Sequence, residues 1–229
     1  MVNEFDRYRH EHDKGVRAKI SWALKLPKFW NSPLSKEVIR LVDLQKGENV
    51  LDIGAGMGPA SVEAASRGAH VVAIDPSRFM RAILGFRRQF QKNPGLITVE
   101  AGVAEKIPLS KESTDVVCAV NAVHHWTDLE GSIKEIARVI APRGRVLLVD
   151  EDFTDPKHPQ HETHHDHEEE MTKVDVELIK GLFESWGFEA KVRTPDATPR
   201  RDDFKSSAST KIMKINSQAS MTGTHIFKL

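Results

Sequence analysis

The residues best suited to chemistry lie in the run Val50-Leu51-Asp52-Ile53-Gly54-Ala55-Gly56-Met57-Gly58. Glycines at 54, 56 and 58 permit a tight turn and a close approach of backbone N–H groups to a ligand. Asp75 follows Gly58 by seventeen residues, at the end of a second apolar run. A carboxylate so placed can accept hydrogen bonds from both hydroxyls of a ribose. Farther on, His124 and His125 follow another apolar run, Asp115 to Val120. Either imidazole can take a proton near neutrality, and packing of the loop is the alternative role for the pair. Cys118, the single cysteine, lies inside that run, where a buried small hydrophobe is the default.

These residues need elements to hold them. Asn49 to Ile53, His70 to Ile74, Leu96 to Glu100, Asp115 to Val120 and Arg145 to Val149 are short and rich in Val, Ile or Leu. Such runs suit strands buried on both faces of a parallel sheet. Helical stretches alternate with them. Pro59 to Arg67 ends at Gly68, and Ser77 to Gln91 aligns Phe79, Ile83, Phe86 and Phe90 on one face. Leu129 to Ile140 aligns Leu129, Ile133, Ile136 and Ile140, before Pro142 and Gly144 stop it. Ser32-Pro33 opens a helix ahead of the first strand. Thr172 to Asp175 resembles a capping box for a helix running to Trp186. Phe188 to Arg193 and Thr224 to Lys228 read as final strands, with 194–210 a loop between them. Strand–helix alternation predicts a doubly wound α/β sheet, with its ligand beyond the C-terminal ends of the strands.

Two ligands fit the glycine turn, a dinucleotide or S-adenosylmethionine. A dinucleotide fingerprint needs glycine at the sixth position, which here is Pro59. It also sets a pyrophosphate near Asp52, whose charge is unwelcome there. An acid in that position suits a ligand bearing an ammonium group, as S-adenosylmethionine does.

The sequence resembles the class I S-adenosylmethionine-dependent methyltransferases, and within them the small-molecule group that includes the quinone-biosynthesis methyltransferases. The matching blocks are Val50 to Gly58, Val72 to Ser77, Gly102 to Pro108, Asp115 to Trp126 and Glu135 to Val149. The resemblance implies a Rossmann-like, mostly parallel seven-stranded sheet whose last two strands form an antiparallel hairpin at one edge. It implies that Asp52 orients the cofactor's amino group through water, with Gly54, Ala55 and Gly56 against its methionine portion. Asp75 would hold the ribose, with Pro76 against the adenine. Ala104 would meet the adenine edge through its backbone N–H. Val103 stands where the family often has an acid for the adenine amino group. Asn121 would lie near the transferred methyl. The reaction implied is in-line displacement onto a small-molecule acceptor, with His124 or His125 as base if the acceptor must lose a proton. A nicotinamide-dependent oxidoreductase and a non-catalytic S-adenosylmethionine-binding protein are the competing functions.

The 229 residues allow one large domain, read as 32–229, with 1–31 as an N-terminal helical cover. No apolar run approaches the roughly 18 residues of a membrane span, and the charged first residues do not resemble a secretory signal. One cysteine fits a reducing compartment, so the expected location is the cytoplasm. A net charge of zero conceals blocks. Asp150 to Glu170 holds nine acids and one lysine, with five histidines between His158 and His167. This 150–170 insert reads as a solvated lid, with a metal cluster or a pH-sensitive cover as alternatives; no metal ligand is assigned. Arg78, Arg81, Arg87, Arg88 and Lys92 form a basic run. Arg78, Arg81, Arg88 and Lys92 share a helical face that reads as solvated, and no RNA-binding module accompanies it.

Overall fold

The structure is a computed structural model describing residues 30–151, 174–193 and 210–217, together with 15–17 and 20. Its strands are β1 (Asn49–Ile53), β2 (His70–Asp75), β3 (Ile97–Ala101), β4 (Thr114–Val120), β5 (Ile140–Glu151), β6 (Phe188–Arg193) and β7 (Thr210–Ser217). They form one seven-stranded sheet in the order β3-β2-β1-β4-β5-β7-β6. The first five strands run parallel, while β7 is antiparallel to both β5 and β6. The sheet is the Rossmann-like methyltransferase fold, including the antiparallel edge hairpin. The order reverses between β1 and β4, and sheets of this kind bind their ligands beyond the strand ends at such a switch point.

Five helices of the described chain flank the sheet: α1 (Pro33–Leu41), α2 (Pro59–Ser66), α3 (Arg78–Arg88), α4 (Leu129–Val139) and α5 (Val176–Ser185). Their starts follow from local chemistry. The hydroxyls of Ser32 and Ser77 and the carboxylate of Asp128 each accept a backbone N–H three residues on, satisfying a donor that the helix itself leaves unpaired. Alternation along the strands sends side chains to opposite faces. Leu51, Ile53, Val117, Ala119, Val146 and Leu148 pack with Ile133 and Ile136 of α4 and Ile179 and Phe183 of α5. Val50, Val71, Val116, Cys118, Leu147 and Val149 pack with Val38 and Ile39 of α1 and Ala60 and Ala64 of α2. Among the described residues no helix is long and apolar enough to cross a membrane.

Several elements differ from the sequence reading. β5 begins at Ile140, five residues earlier than expected, because Ile140 pairs with Thr114 before the register shifts and Arg145 pairs with Val116. Pro142 and Gly144 fall within that irregularity, which tolerates residues that a regular central strand excludes. The cap of α5 is Asp175, whose carboxylate accepts the Leu178 N–H at 3.0 Å. Thr172 and Lys173 lie outside the described residues, as do 224–228. The last described strand is instead Thr210–Ser217, which sends Met213 and Ile215 into the core. The proposed cover, apart from 15–17, 20, 30 and 31, and the insert from 152 onward also lie outside the description.

The largest correction concerns α3. Its buried residues are Met80, Leu84 and Arg87, whereas Phe86 is 63% exposed and Phe90 70%. The two rings meet edge to face, 4.9 Å between centroids. Two apolar faces compete on this helix, and the narrower one wins because Leu84 fits beneath Gly58 and packs with Ala55 and Ala73. The basic run is correspondingly not one solvated face. Arg87 is 3% exposed, donates to the Met57 carbonyl at 3.1 Å and lies 4.5 Å from the centroid of the Trp30 ring. Arg88 donates to the Ile97 carbonyl at 2.6 Å, and Arg81 to the carbonyls of Asp75 and Pro76. Only Arg78 and Lys92 of the run are exposed.

This inversion is measurable by chemical denaturation. Leu84→Ala should cost about 2–5 kcal/mol of folding stability, as buried leucine truncations do. Phe86→Ala should change it by less than about 0.5 kcal/mol. The opposite ranking would contradict the buried face assigned to α3.

Candidate functional site

The turn after β1 is fastened to β2 through its backbone. Gly54 N–H and Ala55 N–H both donate to the Ile74 carbonyl, at 2.9 and 3.0 Å. Gly54 has φ +67°, and a side chain there would begin 2.6 Å from Cβ of Ala122, just past the end of β4. The turn therefore lies directly against the β4 exit. Gly58 has φ +72° and starts α2 without a side-chain cap. Pro59 fills the first helical position, where its missing N–H costs nothing.

Asp75 stands at the end of β2 and joins this turn to the next helix. Its Oδ2 accepts Gly56 N–H at 2.8 Å, and its Oδ1 accepts Ser77 N–H at 2.8 Å. Arg81 Nη1 donates to the carbonyls of Asp75 and Pro76, both at 2.7 Å, so the turn carrying the acid is itself braced. Sequence reasoning missed this role because it placed Arg81 on a solvated face.

Asp52 lies behind the turn and is 2% exposed. Its Oδ2 accepts the Ser61 hydroxyl at 2.5 Å, and its Oδ1 faces the Cys118 thiol at 3.7 Å. Burial pushes its carboxyl up to about 6 against the opposing pull of those two donors, with the charge of Asp75 adding a little. Burial, followed by the charge of Asp52, raises the Cys118 thiol well above its ordinary value. A thiol so held is a poor nucleophile, in keeping with its expected role as a buried hydrophobe.

Val103 and Ala104 follow β3 and are 5% and 2% exposed. Val103 bridges to Lys106 in a tight turn. Two residues of α4 hold the segment that follows. Arg138 donates to the carbonyls of Ile107 and Leu109 at 3.0 and 2.7 Å, and Glu135 accepts Ile107 N–H at 3.1 Å. The hydrogen bond from Arg138 is the main reason the Glu135 carboxyl sits below its ordinary value.

The exit of β4 completes the arrangement. Asn121 has φ +51°, a left-handed conformation that Asn tolerates better than most residues. Its amide donates to Glu151 at 2.7 Å and accepts Glu151 N–H at 3.0 Å. His124 Nδ1 lies 2.6 Å from Asp150 Oδ1, and Asp150 Oδ2 accepts Val123 N–H at 2.9 Å. The His125 ring centroid is 4.0 Å from that of His124. Asp150 and Glu151 thus belong to the end of the β4–β5 pair and are tied to His124 and Asn121. The sequence reading opened the acidic insert with these two residues and had them close the fifth strand at the rim of the active site, and they do end β5.

The expected residues Gly54, Ala55, Gly56, Asp75, Pro76, Val103, Ala104, Asn121, His124 and His125 all lie at or just after the C-terminal ends of β1 to β4. Contact brings the glycine turn to Asp75 on one side and to Ala122 on the other. Asp52 stands one layer deeper. The cradle fits a ligand with a ribose and a nearby cationic group: a braced carboxylate at the rim, a turn closed to side chains, and a buried acid behind it. Among the described residues no cluster of His, Cys, Asp and Glu forms a metal site, and the His158 to His167 cluster lies outside them.

Comparison with known proteins accords with this geometry. Residues 51–148 match the family described as a methyltransferase domain. An uncharacterized methyltransferase of Mycobacterium tuberculosis is 41% identical over 100 residues, covering 44% of this chain and 38% of that protein. A demethylmenaquinone methyltransferase of Streptomyces avermitilis is 32% identical over 113 residues, covering 49% of this chain and 46% of that protein. Each of these matches spans less than half of the relative's own length. The crystal structure of the YcgJ protein from Bacillus subtilis superposes with a TM-score of 0.64 at 18% identity, covering 82% of this chain and all of that one. At that identity the likeness shows the fold alone. The matched segment, residues 51–148, contains the glycine turn, Asp75, Asn121 and the histidine pair, and over it the chain is similar to the class I S-adenosylmethionine-dependent methyltransferases.

Proposed function

We propose that this protein binds S-adenosylmethionine in the crevice between the ends of β1, β2 and β4 and transfers its methyl group to a small-molecule acceptor. The observation that carries this reading is the pairing of Gly56 N–H with a braced Asp75 carboxylate at the end of β2. In this reading Asp75 takes the ribose hydroxyls, while Gly54, Ala55 and Gly56 lie along the methionine portion. Pro76 and the 103–104 turn flank the adenine, and Asn121 stands near the methyl. Val103 offers no carboxylate to the adenine amino group, so base recognition falls to backbone groups such as the Ala104 N–H.

The cofactor supplies an already activated methyl on a positive sulfur. The chain's part is then to align an acceptor and exclude water. The demethylmenaquinone methyltransferases among the relatives support a small organic acceptor. A nicotinamide cofactor is disfavoured by Pro59 at the sixth fingerprint position and by the buried acid Asp52 beneath the turn. The single cysteine, a buried free thiol, fits a cytoplasmic location.

Calorimetry should give saturable binding of S-adenosylmethionine and S-adenosylhomocysteine and none of NAD. Asp75→Ala should weaken both by at least about tenfold, since a lost hydrogen bond to a charged group is worth about 1.5–3 kcal/mol. Binding of NAD alone would overturn the reading. Methyl-transfer assays against a metabolite panel separate an enzyme from a protein that merely binds the cofactor.

Asp52 gives the binding a pH dependence of known sign. Its carboxyl is half-protonated near pH 6 in the folded chain, with Ser61, Cys118 and Asp75 as the groups acting on it. A ligand ammonium favours the ionised form, so S-adenosylmethionine affinity should rise as pH increases from about 5 to 7. Asp52→Asn should flatten that rise. An unchanged slope in the variant would remove Asp52 from the electrostatics of binding.

A further inference from the structure

We propose that the outer face of α3 is a docking surface for an anionic phospholipid bilayer. This role is separate from methyl transfer and draws on no residue of the cofactor site.

The face is apolar where it is most exposed. Arg78, Ala82, Phe86, Gln89 and Phe90 are exposed at helical spacing, on the side of α3 away from the buried Met80, Leu84 and Arg87. Phe86 and Phe90 pack edge to face, 4.9 Å between centroids, and still give most of their surface to solvent. No other Phe or Trp among the described residues is exposed. Two rings side by side in water are an unfavourable arrangement that burial against an apolar partner relieves.

The charge around the rings selects the partner. Residues 76–99 carry five bases and no acid. Arg78 and Lys92 stand exposed at the two ends of the stripe, and Arg81 and Arg88 add their charge to the same helix. The acid before this run, Asp75, is engaged by the amides of Gly56 and Ser77. The acid after it, Glu100, alternates along β3 with Val99, which packs with Leu84, so its side chain leaves the opposite face of the sheet. An apolar stripe ended by cations, with no carboxylate of its own, matches a bilayer interface: rings enter the acyl boundary while bases meet headgroup phosphates. A second copy docked about a two-fold axis would bring the same cations together. A single-stranded nucleic acid stacks on open ring faces, and the edge-to-face pair offers no shared platform.

The test sediments the full chain with vesicles of phosphatidylcholine alone or of phosphatidylcholine mixed with phosphatidylglycerol. Expected is retention on the anionic vesicles, weakened by added salt, and little on the neutral ones. Phe86→Ser combined with Phe90→Ser should lower retention at least about tenfold. Arg78→Gln and Lys92→Gln should each lower it about fivefold. Thermal unfolding of all these variants should stay close to wild type, because the four side chains are exposed. Phe86→Cys should react readily with a soluble maleimide in the free protein and be shielded on anionic vesicles; Cys118 is buried and does not compete. Absence of retention on anionic vesicles overturns the proposal, as does retention that the paired Ser variant leaves unchanged. A Phe86→Cys thiol shielded before vesicles are added would assign the face to another segment of this chain and overturn it too. So would a dimer lost in the paired Ser variant, or retention of RNA by this face without retention of vesicles.

Discussion

The site depends on one carboxylate. Asp75 accepts the N–H of Gly56 in the turn after β1 and the N–H of Ser77 at the start of α3. Parallel pairing of β1 with β2, in register at Ile53 and Ile74, brings the turn within reach of that acid. The Ile74 carbonyl takes the next two turn amides, Gly54 and Ala55. Unpaired, these amides would each carry the penalty of an unsatisfied buried donor. The turn's shape is therefore imposed by its neighbour as much as by its glycines. Arg81 extends the same bracing by holding the successive carbonyls of Asp75 and Pro76.

Two buried charged groups press on the same turn from below. Asp52 sits under the start of α2, where burial raises its carboxyl to about 6. Arg87 reaches the Met57 carbonyl from α3, where burial lowers its guanidinium to about 10. Burial opposes the charged form of each, and local donors, acceptors and the Trp30 ring compensate. The glycine turn is thus bounded by ionisable groups on opposite elements, which makes its electrostatics sensitive to a bound cation.

Long-range pairing accounts for what pattern reading misplaced. Phe79, Ile83, Phe86 and Phe90 form a valid helical stripe, yet Leu84 rather than Phe86 meets the space under Gly58. Nothing local decides between two apolar faces on one helix; the shape of the neighbouring turn does. Ile140 joins β5 because Thr114 lies opposite it, a partner twenty-six residues away that no helix-period count registers. The strand Thr210–Ser217, second from the edge of the sheet, carries Ile212, Met213 and Ile215 within a stretch rich in Ser and Lys, and only pairing with β5 and β6 reveals it.

The sequence by itself determined the parallel core, the glycine turn, the acid at the end of β2 and the ligand class they suit. Those features are local: strand-length apolar runs, φ-permissive residues and a carboxylate at a strand end act within a few residues of one another. Tertiary structure alone decided which face of α3 is buried, that Arg81 braces Asp75, and that Asp150 and Glu151 belong to His124 and Asn121. Each of those outcomes depends on a hydrogen bond or a packing gap between segments distant in the chain, and a pattern with a period of two or 3.6 residues carries no record of them.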